Sequence, residues 1–457
     1  MQKLYFREGL LGTDWARDIR MDISAEGFLV SIETDVAVPE GSLQLGVVLP
    51  AMPNLHSHAF QRVFAGLTEY TEAGQSNFWS WRTAMYQFAA QMTPDALRVI
   101  ASTLYIEMLK AGYTTVGEFH YLHNSHQDMA LAMSGAVIAA ADDTGIALTH
   151  LPVLYQASDF GGKKPETGQQ PFLHTKEEFI RLLRILSPCV QGRHMLGVAF
   201  HSLRAVREDS FGPVIAALEV INPTAPIHIH IAEQMSEVEA SLAHSGKRPV
   251  AWLLDNHQVD DRWCLVHATH LVEAEWQAVA ATGAIVGLCP TTEANLGDGL
   301  FPVPEYVACG GRWGIGSDSH ISVDAREEVR LLEYGQRLAR QERTVLSAGQ
   351  GGHTGLNLWA TAAQGGAQAL AQPVGSLAVG KRADLIVLDT ATPAFAGACH
   401  GQIMDAFVFS GQPNPISDVM VAGNWVIQKG KHAAEDTIFA AYSTLVATLT
   451  KYKDTTQ

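Results

Sequence analysis

From residue 47 to about residue 370 the chain alternates short apolar runs with amphipathic stretches. The runs occupy 47–55, 115–119, 146–154, 195–201, 226–231, 263–267, 284–289 and 313–317. Their length and aliphatic content suit strands buried on both faces of a parallel sheet. Between them, 93–110, 127–143, 176–186, 208–221 and 273–281 repeat apolar residues at helical spacing. Thr93 before Pro94 is a helix start signal, and Gly112, Gly145 and Gly283 are stop signals. Eight strands alternating with helices predict a closed (β/α)8 barrel of the TIM type. An open doubly wound sheet would place a glycine-rich phosphate loop after its first strand, but here that strand runs into Asn54-Leu55-His56-Ser57-His58.

The flanking segments have a different texture. Residues 1–50 form short runs broken by turns, such as 28–32. Beyond about 372 the helical pattern gives way to a turn-rich approach to a strand over 375–388, strands at 407–409 and 419–421, and a terminal helix at 437–450. We expect a small β-sandwich domain made from both termini (1–50 and 373–457) beside a catalytic barrel (51–372). A chain of 457 residues suits one large barrel with a companion domain.

Composition narrows the possibilities. A net charge of -16 argues against a nucleic-acid or membrane-surface binder, which needs basic patches. The five cysteines are isolated and form no C-x-x-C pair, as expected for reduced thiols in a cytoplasm, without a disulfide framework or thiolate metal site. The N-terminus lacks the apolar stretch of a signal peptide, and no apolar run is long enough to span a bilayer. A soluble, cytoplasmic protein is the expectation.

In a (β/α)8 barrel, chemistry sits at the C-terminal ends of the strands. Strand one ends in His56-Ser57-His58, where period-two alternation puts both imidazoles on one face. Strand five ends in His228-Ile229-His230-Ile231-Ala232-Glu233, strand six in His267 and strand eight in Gly316-Ser317-Asp318. Singly, each has an ordinary explanation, such as a hydrogen-bonded histidine or a helix-capping aspartate. Together, His56, His58, His230 and Asp318 offer three imidazoles and one carboxylate, which suits a divalent zinc with an open position for water. Strand four offers His201 and no lysine, so one metal is expected rather than two. His120, His123 and His126 fall on a strand-to-helix turn and read as structural, and His228 reads as a hydrogen-bonded neighbour.

These strand ends, with the returning segment 375–388, resemble the amidohydrolase superfamily over essentially the whole chain. His230-x-x-Glu233 resembles its deaminase branch. Pro53-Asn54-Leu55-His56-Ser57-His58-Ala59-Phe60-Gln61-Arg62, Phe78-Trp79-Ser80-Trp81-Arg82, Gly117-Glu118-Phe119-His120-Tyr121-Leu122-His123 and His201-Ser202-Leu203-Arg204 are similar to the formimidoylglutamate deiminase family, with a departure at Asn124. The resemblance implies one zinc per subunit, a homodimer, and hydrolysis of N-formimino-L-glutamate to N-formyl-L-glutamate and ammonia in histidine degradation. It implies Glu233 as proton donor to the departing nitrogen, with His267 and Asp318 taking or positioning the proton of water. Arg82 and Arg204 would pair the carboxylates of a dicarboxylate substrate, and Gln61, Tyr121 and His201 would complete the polar wall. Without the resemblance, Arg82 is equally explained by packing on Trp79 or Trp81, and Arg204 is a loop arginine. Two rivals share the metal set or the fold: an aminohydrolase for a purine, pyrimidine or related heterocycle, and a catalytically silent barrel acting as a binding or assembly module.

Overall fold

The computed structural model describes residues 2–66, 69, 85–86, 88–123, 127–349 and 351–454. The strands of its first sheet come from both ends of the chain: β1 (Gln2–Leu11), β2 (Asp14–Ile23), β3 (Leu29–Glu33) and β4 (Gln44–Pro50). The barrel staves follow as β5 (Met52–Ser57), β6 (Tyr113–His120), β7 (Ala147–Leu154), and β8 (Met195–Leu196) continued by β9 (Val198–Phe200). They continue as β10 (Ile227–Ile231), β11 (Trp263–His267), β12 (Ile285–Leu288) and β13 (Arg312–Ile315). The chain then returns to the first sheet through β14 (Leu385–Leu388), β15 (Ile416–Val421), β16 (Asn424–Gln428) and β17 (Lys431–His432).

The barrel strands run parallel in sequence order from β5 to β13. Helices Pro94–Lys110, Gln127–Thr144, Lys176–Leu186, Glu208–Ile221 and Glu273–Thr282 occupy the amphipathic stretches of the sequence. Thr93 caps the first of them by accepting from the Ala96 amide at 3.2 Å. Closure is made beyond β13. Ser57 bridges Asp318 in parallel fashion, the Asp318 amide donates to the His56 carbonyl at 3.0 Å, and the His58 amide donates to the Asp318 carbonyl at 3.2 Å. Gly316 permits this approach, because a Cβ there would stand 2.7 Å from the His56 Cβ. The seam that closes the barrel therefore also brings Asp318 to His56 at the end of β5 and to His58 just beyond it. Helix Thr354–Ala369 ends against the barrel floor, where the Leu370 carbonyl accepts from Thr149 Oγ1 at 2.9 Å.

The terminal strands form one eight-stranded sheet in the order β17-β16-β15-β14-β4-β1-β2-β3. Phe6, Ile19, Met21, Val48, Leu385 and Met420 enclose a core of its own. Val47, Leu49, Ile386 and Leu388, alternating with them, pack into the barrel's core. The buried pair Arg382–Asp384 joins the two layers. Arg382 donates to both Asp384 oxygens at 2.8 Å and to Thr115 Oγ1 on β6 at 2.7 Å.

Two sequence expectations are corrected. The run 47–55 is two strands broken at Ala51: β4 pairs antiparallel with β14 in the terminal sheet, and β5 opens the barrel. The apolar run at 407–409 is not a strand but the end of helix Gly401–Phe409. Its buried residues Ile403, Met404, Phe407 and Val408 recur at helical spacing, and Phe407 packs edge-on to Trp359 with ring centroids 5.1 Å apart. No helix among the described residues is long and apolar enough to cross a membrane.

Candidate functional site

Four donors converge at the closure seam. His56 Nε2 lies 3.1 Å from His58 Nε2 and 2.9 Å from His230 Nε2, and Asp318 Oδ1 lies 3.4 and 3.2 Å from His56 and His58. All four ligand atoms fall within 4.8 Å of one another. His58 Nδ1 donates to the Phe119 carbonyl at 2.9 Å and His230 Nδ1 to the His201 carbonyl at 3.1 Å. A carbonyl only accepts, so each of these rings, when neutral, turns a bare Nε2 lone pair toward His56. Burial pushes His56 down to about 3 and His230 well below its usual range, keeping both neutral. Burial opposes the charge of Asp318, yet the His56 and His58 imidazoles beside it hold the carboxyl well below the ordinary carboxylate range. Lone pairs and a carboxylate aimed at one point fit a divalent cation, and the absence of thiolate from the set suits zinc. A second triplet, His267, Cys289 and Asp318, is equally compact, but burial pushes the Cys289 thiol up, away from the thiolate form a metal needs.

His267 and Glu233 flank this centre. His267 Nε2 lies 3.7 Å from Asp318 Oδ2 and 4.0 Å from Glu233 Oε1, and Nδ1 lies 3.3 Å from Glu293 Oε1. Burial disfavours an imidazolium there, but the surrounding carboxylates, Glu233 foremost, overcome it and raise His267 to about 10. Burial, with Asp318 and Glu237 nearby, raises Glu233, while His267 and Arg204 oppose the rise. The strand ends are strained: Ala232, His267, Asp318 and His320 have φ of 51°, 66°, 47° and 62°. Left-handed non-glycine residues cost about 1–3 kcal/mol each and are held only where surrounding structure enforces them.

A cleft opens over the donors, lined in part by Gln61, Tyr121, Tyr155, His201, Arg204 and Glu233. Gln61 Nε2 donates to Tyr121 Oη at 2.7 Å, leaving its buried Oε1 without a partner among the described residues. Arg204 Nε is also buried and unpartnered among them. Burial opposes the charge of Arg204, yet Glu237 and Glu233 raise its pKa. The half-buried His201 ring sits with its centroid 4.5 Å from that of Tyr155. Thus Gln61, Tyr121, His201 and Arg204 share one cleft with the donor cluster. Arg82, with Trp79 and Trp81, lies outside the described residues, as do Asn124 and His126. His228 Nε2 donates to the Ala369 carbonyl at 2.7 Å and is not in the donor cluster. The structure adds Tyr155, Thr292, Ser319 and Glu293, which the sequence reading missed. A signal exists for two of these: Pro290-Thr291-Thr292-Glu293 is a polar run at the end of strand seven.

Residues 47–426 match the model of the amidohydrolase family. The chain is 48% identical over 442 residues to the formimidoylglutamate deiminase of Pseudomonas aeruginosa, covering 95% of this chain and 97% of that one. The crystal structure of an amidohydrolase from Brucella melitensis superposes with a TM-score of 0.91 at 42% identity, covering 98% of this chain and all of the other (100%). An adenosine deaminase from Xanthomonas campestris, solved with bound zinc, shares the fold with a TM-score of 0.81 at 21% identity over 99% and 97% of the two chains.

Proposed function

The chain belongs to the amidohydrolase family and is a hydrolase of carbon–nitrogen bonds, and on that premise we propose that it deiminates N-formimino-L-glutamate. The products are N-formyl-L-glutamate and ammonia. One observation carries the reading: the cleft over the His56–His58–His230–Asp318 cluster is lined by a buried carboxyl, Glu233, and by a half-buried arginine, Arg204, whose Nε has no partner among the described residues. The cluster would accept an acidic water and the amidine carbon on one side, and the arginine would hold a substrate carboxylate on the other. An arginine of this kind has little to offer an uncharged heterocycle.

We assign one zinc per subunit to His56, His58, His230 and Asp318; when bound it supplies an activated water at neutral pH and stabilises negative charge on the attacking oxygen. Asp318 Oδ2 would take the proton of the attacking water, with the His267 imidazole, whose Nε2 lies 3.7 Å away, positioning it. Glu233 delivers a proton to the amidine nitrogen. The new C–O bond forms on the amidine carbon, the C–N bond to that nitrogen breaks, and ammonia departs. Arg204, with Arg82, pairs the glutamate carboxylates, while Gln61, Tyr121 and His201 orient the amidine and its stem.

The test is ammonia release by the purified protein from N-formimino-L-glutamate, set beside formimino-aspartate, guanine and cytosine. The reading requires the glutamate derivative to have the highest kcat/KM. Faster turnover of either base would replace it with the heterocycle assignment.

A further inference from the structure

The segment after β12 turns a carboxylate into the site from behind. Glu293 is buried, with 5% of its surface exposed, on helix Pro290–Leu296. Its Oε1 accepts the Cys289 amide at 2.8 Å and lies 3.3 Å from His267 Nδ1. The other ring nitrogen, Nε2, faces Asp318 Oδ2 at 3.7 Å and Glu233 Oε1 at 4.0 Å. The His267 ring also stacks on His230, with centroids 5.5 Å apart and planes 16° apart, while its own backbone is held at φ 66°.

A carboxylate that accepts from Nδ1 requires the hydrogen on that nitrogen. The ring of His267 could otherwise turn over and exchange nitrogen for carbon. Only one orientation turns Nε2 toward Asp318 and Glu233. We propose that Glu293 is a positioning residue of the deimination: by accepting the Nδ1 hydrogen of His267, it fixes the ring orientation that aims Nε2 at the reacting water and at Asp318. The inference rests on the deiminase reading for the role of His267, but not for the Glu293–His267 contact itself. Removing the group that orients a histidine in this way lowers turnover while leaving the rest of the site intact.

Two substitutions separate this role from a purely structural one. In Glu293→Gln the amide oxygen stays inward, because the Cys289 N–H needs its acceptor, so Nδ1–H keeps a partner. In Glu293→Ala it has none. Steady-state ammonia release, zinc content, thermal midpoint and ¹⁵N spectra of histidine-labelled protein are compared for both variants and the unsubstituted chain. The expected result for Glu293→Ala is kcat lowered about 10- to 100-fold with KM and zinc content little changed. Its spectra should show the Nδ1–H signal of His267 shifted or broadened. Glu293→Gln should recover most of the turnover and the Nδ1–H signature. Unchanged kcat in Glu293→Ala, or Glu293→Gln as slow as Glu293→Ala, overturns the proposal, as does a variant that loses only thermal stability or zinc. If the unsubstituted protein releases no ammonia from N-formimino-L-glutamate, the deiminase reading falls on its own. The spectra then decide, and an Nδ1 proton unaffected in Glu293→Ala sinks the assignment.

Discussion

At the scale of single residues, the site separates metal holding from proton delivery. Glu233 is absent from the converging donor cluster, and burial raises its pKa, so it is suited to carry a proton to a departing nitrogen. Glu233→Gln should therefore keep its full metal content by elemental analysis while kcat falls about 100- to 10,000-fold, the usual contribution of a general acid. Near-normal turnover would remove Glu233 from the mechanism. Arg204 is tested differently, because its contribution is binding. Charge-assisted bonds to a carboxylate are worth about 1.5–3 kcal/mol, so Arg204→Met should lower kcat/KM for N-formimino-L-glutamate roughly 10- to 150-fold. The loss should appear mainly in KM. A heterocycle deaminase would barely register the change.

Elements were legible in the sequence where local chemistry and tertiary structure agree. Helix Pro94–Lys110 follows from Thr93, Pro94 and its apolar spacing, and nothing in the fold overrides those signals. The donors were legible because barrel strands deliver them at fixed ends: His56 on β5 and His58 just past it, His230 on β10, Asp318 past β13. The run at 47–55 misled because both its halves are apolar, and periodicity does not record that the chain leaves one sheet at Pro50 and enters another at Met52. Glu293 and Tyr155 escaped because their meaning lies in partners distant in sequence, His267 for one and Gln169 for the other. The fit of whole elements is testable at Gly365 in helix Thr354–Ala369. A Cβ there would stand 1.8 Å from the Trp313 carbonyl on β13, and backbone cannot yield as a side chain does. Gly365→Ala should cost about 1–3 kcal/mol, read as a lower urea midpoint with an unchanged slope. A midpoint equal to that of the unsubstituted protein would mean that the helix is free to shift off the barrel wall.

At the scale of the whole molecule, the fold carries an acid sensitivity outside its metal site. Behind β6 and β7 lie four buried histidines, His120, His123, His150 and His174. Ring centroids stand 5.3 Å apart for His120 and His150 and 4.5 Å apart for His123 and His174. Neither ring nitrogen of His150 has a hydrogen-bond partner among the described residues, nor does His174 Nε2. Burial pushes His150 down to about 3 and His174 to about 4, so the folded protein holds both neutral, whereas the unfolded chain takes up protons near the ordinary histidine value of 6.5. Between those limits the unfolded state binds more protons. Stability therefore falls as pH drops below about 6.5, by about 1.4 kcal/mol per unit for each ring. At pH 5 the two together remove roughly 4 kcal/mol. Other buried histidines, His56 among them, contribute in the same way, so the acid response of the protein alone does not isolate the effect; the difference from a variant does. His150→Leu preserves volume and gives up no hydrogen bond, so it should match the unsubstituted protein closely at pH 7.5. At pH 5, with zinc in excess for both, it should be more stable by about 2 kcal/mol in chemical unfolding. Parallel stability curves from pH 7.5 to 5 would show instead that His150 is protonated alike in the folded and unfolded chains, and that water reaches it behind the barrel wall.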